Sequence, residues 1–185
     1  MSGSLRGRIA AFLVLAAGVA VLLVGCSTTP PPPSPNSSAC LAALQARGIS
    51  FAPWAAPRQG KCVVDTPVRA SKARIAIFQP ELKTSCEILL AWTDFEGDVD
   101  RLARQYMGSP LVAVLHYGSY SCRAMTGNSG RLSLHAQAKA LDISGFRLRN
   151  GTVVKVQSAW RGRMPDRQFV RAVARAACRR FNVVL

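Results

Sequence analysis

The chain has little of what most often builds metal or acid–base chemistry. Histidine occurs twice, at His116 and His135, and neither a histidine nor a carboxylate follows Asp166. No two cysteines stand in Cys-x-x-Cys spacing, which argues against a zinc-finger ligand set. Acidic residues are scarce: Asp plus Glu number 9 against 24 Lys plus Arg, a net charge of 24 − 9 = +15. A charge of that size attracts polyanions of any kind. The sequence also lacks a motif that interleaves aromatic with basic residues, so nucleic acid is not an expected partner. The longest apolar run, Ile9 to Val24, is short for a spanning helix. At 185 residues there is room for one domain with appendages.

The N-terminus supplies a compartment. Arg6 and Arg8 form a basic region, Ile9 to Val24 an apolar one, and Leu23-Val24-Gly25-Cys26 resembles the bacterial lipobox. Residues 1–25 then read as a lipoprotein signal peptide and Cys26 as the lipidated residue, carrying acyl chains such as palmitate. Residues 26–38 are the lipidated cysteine and a Pro-rich linker whose prolines favour an extended chain. Residues 39–185 form the domain. The expected location is outside the cytoplasm, lipid-anchored on the periplasmic side of the inner or outer membrane of a bacterial envelope. Without Arg6 and Arg8 the exported part still carries 22 − 9 = 13 excess positive charges.

Local signals predict an α+β fold with a small antiparallel sheet flanked by helices. Ser38 caps a helix that Gly48 ends, and Thr84 caps a second one in Thr84-Ser85-Cys86-Glu87. A further helix runs from about Gly97 to Met107, closed by Gly108. Leu111 to Leu115 is a strand, and Leu141 to Leu148, Asn150-Gly151 and Val153 to Val156 read as a hairpin. Pro165-Asp166 opens a last helix to about Arg180, with Phe169, Val170, Val173, Ala176 and Ala177 inward. Arg167, Arg171, Arg175 and Arg179 recur every fourth residue outward, a solvated face whose mutual repulsion leaves room for an anionic partner. In an oxidising compartment the cysteines beyond Cys26 should pair. Sequence alone does not choose among the pairings; the expected ones are Cys40 with Cys62 and Cys122 with Cys178, leaving Cys86 over.

Both histidines fall between Leu111 and Leu148. Ser133-Leu134-His135-Ala136 is followed by Asp142 in Ala140-Leu141-Asp142-Ile143, and an imidazole and a carboxylate so placed can converge on one cation. Zinc catalysis needs about three protein ligands and an open position. His116, the other imidazole, reads as satisfying a local hydrogen bond.

Gly118-Ser119-Tyr120-Ser121-Cys122-Arg123, then Ser133-x-His135-Ala136, then Ala140-Leu141-Asp142-Ile143-Ser144-Gly145-Phe146, resembles the bacterial extensin-like C-terminal domain. The likeness runs from about Cys40 to the end and is most specific from Tyr120 to Phe146. It implies a disulfide-stabilised fold of the D,D-peptidase and Hedgehog type, and a zinc metallopeptidase of the D,D-carboxypeptidase kind that cuts peptidoglycan stem peptides. On that reading His135 and Asp142 are zinc ligands and Arg123 is catalytic, aimed at a substrate carboxylate or oxyanion. Tyr120, Ser121 and Ser133 serve the substrate side, and the partners are peptidoglycan or anionic envelope polymers. Family members normally continue into Gly-Pro and a His-x-Asp-His-x-His tail, whereas this sequence stops at Leu185. The expectation is therefore a domain incomplete at its C-terminus, lacking a third ligand and a general acid or base. The alternative is a non-catalytic cell-wall-binding or structural lipoprotein in which His135 and Asp142 only hydrogen-bond.

Overall fold

Apolar residues alternate with polar ones along each long strand, and that alternation decides which face of the sheet is covered. In the computed structural model, which describes residues 37–184, Val68, Ala70, Phe78, Leu82, Val114, Phe146, Leu148 and Val154 are buried, whereas Arg69, Ile77, Lys83, Arg147, Val153 and Lys155 are exposed. The expected signal peptide, Cys26 and nearly all of the Pro-rich linker lie outside the described residues.

The order of elements is α1 (Ser37–Ala46), β1 (Ala52–Pro53), β2 (Pro67–Lys72), β3 (Ile77–Ser85), α2 (Cys86–Met107), β4 (Leu111–Gly118), β5 (Ala124–Met125), β6 (Asn128–Leu132), a 3₁₀ turn (Leu134–Gln137), β7 (Asp142–Leu148), β8 (Val153–Lys155), α3 (Val156–Trp160) and α4 (Asp166–Ala177). Six strands form one sheet in the order β1-β2-β3-β4-β7-β8, and β5 pairs with β6 separately. The chain is thus α+β, as read from the sequence. Every pair is antiparallel except β3 with β4, which run parallel. The long α2 crossover between these two strands makes that possible, because a tight turn cannot join parallel neighbours.

Helices α2 and α4 supply the cover. Trp92 of α2 sits edge-on to Phe78 and Phe95, with centroids 6.0 and 5.5 Å away, and Phe169 of α4 meets Phe146 of β7 at 5.4 Å. Two expectations about α2 need correcting. It is one helix, because the buried series Leu89, Trp92, Glu96, Val99, Ala103 keeps helical spacing across exposed Gly97. Its cap is Ser85, whose Oγ accepts from the Ile88 amide at 3.4 Å. Thr84 is instead drawn into a buried hydrogen-bond network. The residues after Lys155 also turn into α3 rather than extending the hairpin.

Glu96 is fully buried in this layer. Its Oε2 and Oε1 accept the amides of Ile75 at 2.9 Å and Ala76 at 3.2 Å, so it holds the β2–β3 turn. Burial pushes its carboxyl above the ordinary value of 4.5, against the opposing pull of those amides.

The expected disulfide pairings are replaced. Cys40 is bonded to Cys86 and Cys62 to Cys122. Cys40 lies on α1, which packs on α2, and so meets the first turn of that helix; nearness in sequence to Cys62 counted for less. Cys62, in a bridge with Gln59, reaches across to the loop after β4. Cys86 is therefore not left over, and Cys178 is not a free thiol either.

Candidate functional site

The site forms where β4 ends beside the start of β7, with Gly118 opposite Asp142. The chain leaves β4 into Ser119, and this short stretch is fixed from below by buried polar groups. Thr84 Oγ1 and Ser119 Oγ are 2.7 Å apart, and each is 3.2 Å from the Ala138 carbonyl oxygen. One hydroxyl donates to the other and the second to the carbonyl, which also accepts the Ser85 amide at 3.3 Å. Ala138 itself stands at φ +50°, a left-handed conformation uncommon for a residue with a Cβ. The converging donors compensate for that conformation and tie the 3₁₀ turn to the N-terminus of α2.

His135 occupies that turn and is held at four points. Its amide donates to Ser133 Oγ at 3.3 Å, and its carbonyl accepts the amides of Ser121 at 3.0 Å and Ala138 at 3.1 Å. Its ring Nδ1 is 3.0 Å from the Ser119 carbonyl oxygen. A carbonyl only accepts, so Nδ1 carries the proton and, in the neutral ring, Nε2 keeps its lone pair. Nε2 faces Asp142 Oδ1 at 3.3 Å. Two lone-pair donors at that separation call for a positive centre between them, either a proton or a metal ion. Two ligands each about 2.0–2.1 Å from a tetrahedral zinc lie about 3.3 Å apart, so the pair fits as two ligands of such an ion. The Nδ1 bond is the orienting contact that metal-bound imidazoles commonly have. The imidazole is 13% exposed and the carboxylate 57%, so the pair opens to solvent on the carboxylate side.

No third His, Cys, Asp or Glu joins them among the described residues. His116 is elsewhere: its Nε2–H donates to the Pro80 carbonyl at 2.8 Å, and its ring packs edge-on to Phe78 at 6.1 Å inside the core. Its Nδ1 is buried with no partner. Burial lowers its pKa from 6.5, with the Pro80 bond acting the other way.

The other residues singled out from the sequence surround this centre. Arg123 is exposed; its carbonyl accepts the Ser133 amide at 3.0 Å, placing it beside the His135 turn, and its Nη1 donates to the Ala124 carbonyl at 3.3 Å. The Cys62–Cys122 bond anchors the residue just before it. Ser133 is buried and caps the His135 turn. Ser121 is exposed and offers its amide to His135. Tyr120 is turned sideways, its hydroxyl donating to Pro57 at 3.2 Å and its ring edge-on to Trp54 at 5.6 Å.

This arrangement sits on the stretch that carries the most specific sequence motifs, and a profile for the family described as extensin-like protein C-terminus matches residues 38–185. The chain belongs to that family. No curated protein and no solved structure matches it.

Sequence reasoning missed the lower tier of the extensin-like site. Thr84, Ser119 and Ala138 fix the carbonyl that orients His135, and Lys139 just after them pairs with Glu87 at 3.5 Å and Asp65 at 3.9 Å. A threonine next to an apolar helix start looked like a cap, which is a local signal. Nothing in the sequence marked Ala138 as a left-handed residue.

Proposed function

We propose that this extensin-like domain works in the bacterial envelope on peptidoglycan stem peptides, with His135 and Asp142 as two ligands of a zinc ion. The carrying observation is the 3.3 Å approach of Nε2 to Oδ1 with Nδ1 pinned by Ser119. A zinc ion there would polarise an amide carbonyl and acidify a bound water. The chain's own part is to orient: Ser133 and Ser119 fix the imidazole, and the Arg123 guanidinium, free of any carboxylate among the described residues, offers a planar fork to a peptide carboxylate or oxyanion. Because the described residues supply only two ligands, no hydrolytic step is assigned. The remaining coordination would come from solvent, substrate or residues outside those described. We further propose export and a lipid anchor at Cys26, on the strength of Leu23-Val24-Gly25-Cys26 behind the apolar run.

The test is elemental analysis of the purified, disulfide-bonded protein. We expect about one zinc per chain in the wild type, lost in His135→Ala and in Asp142→Ala. A wild type that holds no zinc after incubation with excess metal removes the metal part of the proposal. The second reading, a non-catalytic wall-binding module, is favoured by the lack of a third ligand among the described residues. It predicts salt-sensitive capture on isolated sacculi that survives His135→Ala. For the anchor, Cys26→Ser should abolish labelling with radioactive palmitate; unchanged labelling would sink it.

A further inference from the structure

A second surface, at the opposite end of α2, carries chemistry that the His135 site does not use. From Val156 to Val184 there are seven arginines and a single carboxylate, Asp166. Elsewhere Arg47, Arg69, Arg101 and Arg104 meet Asp94, Glu81, Asp98 and Asp100. Of the seven, only Arg180 pairs, with Asp98 at 3.9 Å; none of the others forms an ion pair among the described residues. Arg167, Arg171 and Arg175 line one side of a cleft of about 350 Å³, with Tyr106 and Met164 beside them.

Apolar groups are exposed within the same surface. Met164 is 53% exposed and Trp160 43%. Trp160 is held out rather than folded in, since Arg171 lies 5.6 Å from its ring centroid and donates to its carbonyl at 3.4 Å. Unpaired guanidinium groups around an exposed indole and thioether match the chemistry of a lipid–water boundary. There, Trp favours the headgroup level and basic side chains meet phosphate. A soluble polyanion would need the arginines but has no use for exposed Trp160 and Met164.

We propose that the Trp160–Arg179 face docks on a bilayer surface rich in anionic phospholipid. The consequence is positional. The His135 turn is tied to the start of α2 through Ala138, and the cleft meets its end at Tyr106. Twenty helical residues separate these points, roughly 30 Å at 1.5 Å each. The His135–Asp142 pair therefore lies away from the Tyr106 end of the docking face. The proposal does not depend on that pair binding metal.

The test is co-sedimentation of the full chain with vesicles of phosphatidylcholine alone or mixed equally with phosphatidylglycerol. The apolar N-terminal segment contributes to both, so the readout is the ratio between them. We expect at least tenfold preference for the anionic vesicles in 50 mM salt, shrinking at least fivefold by 300 mM, since each arginine at the surface is worth roughly fivefold. Trp160 fluorescence should shift to the blue on the anionic vesicles, a shift absent in Trp160→Phe. Replacing Arg167, Arg171 and Arg175 together with Glu should abolish the preference, and replacing the same three with Lys should keep most of it, which separates charge from folding. Equal partitioning of the wild type, or an unaltered preference in the Glu variant, overturns the proposal. So does tight binding of soluble polyphosphate combined with no vesicle-induced shift of Trp160, which would assign the face to a free polyanion.

Discussion

The two ends of α2 treat polar groups in opposite ways. At its start nearly every donor and acceptor is spoken for: Ser85 caps the helix, Thr84 and Ser119 share the Ala138 carbonyl, Lys139 bridges Glu87 and Asp65, and Cys86 is bonded to Cys40. At its end, Arg167, Arg171 and Arg175 face a cleft with no counter-charge among the described residues. A buried polar group without a partner is expensive, so a site built from them has to be closed internally. An exposed guanidinium remains hydrated and can wait for a partner. The first end is therefore a place where substitutions cost stability, and the second a place where they cost little.

The largest effect that would sharpen this contrast is loss of the Cys40–Cys86 bond. It closes a loop of 46 residues in sequence separation, and replacing both cysteines with Ala should lower the unfolding free energy by about 3–4 kcal/mol in chemical denaturation. Next comes Thr84→Val, which keeps the shape but removes a fully buried hydroxyl and leaves Ser119 alone to serve the Ala138 carbonyl. We expect a loss of about 1–2 kcal/mol and a weaker hold on the His135 ring, visible as altered imidazole nitrogen shifts in NMR.

Acidity supplies a third comparison, between two buried groups with opposite signs. His116 has its pKa lowered, so the folded state binds fewer protons. Its contribution to stability is present above about pH 6.5 and is lost as pH falls through the lower folded value. Glu96 has its pKa raised, so its contribution is present below about pH 4.5 and is lost as pH rises through the higher folded value. Thermal melts across pH should show His116→Gln removing the loss on the acid side and Glu96→Gln removing the decline from pH 4.5 upward. An unchanged profile in either variant would contradict the burial assigned to that residue. The smallest effect belongs to the other end of α2. Arg167→Ala or Arg175→Ala should change stability by no more than about 0.5 kcal/mol, since neither breaks an ion pair. A loss as large as that of Thr84→Val would break the comparison.

Much of the fold was legible because it is written in local patterns. The β7–β8 hairpin turned at Asn150-Gly151, α4 carried its apolar residues inward, and Gly108 closed α2. The errors fell where a local signal competed with a distant contact. Gly97 looked like a helix boundary, but the buried series on either side keeps one phase. Thr84 had the spacing of a cap, but the hydroxyl was taken by Ser119, 35 residues away. The pairing of cysteines depended on α1 packing against α2, which no spacing reports.

By itself the sequence determined the α+β class, the excess of positive charge, the outward arginine repeat and the stretch in which the two histidines and Asp142 lie. These depend on composition and on periods of two or 3.6 residues, which a chain carries before it folds. Only the tertiary structure decided that His135 Nε2 comes within 3.3 Å of Asp142, that Ser119 fixes the tautomer, and which sulfur meets which. Those outcomes rest on strand register and helix packing, where groups far apart in the chain are brought within about 3 Å of one another.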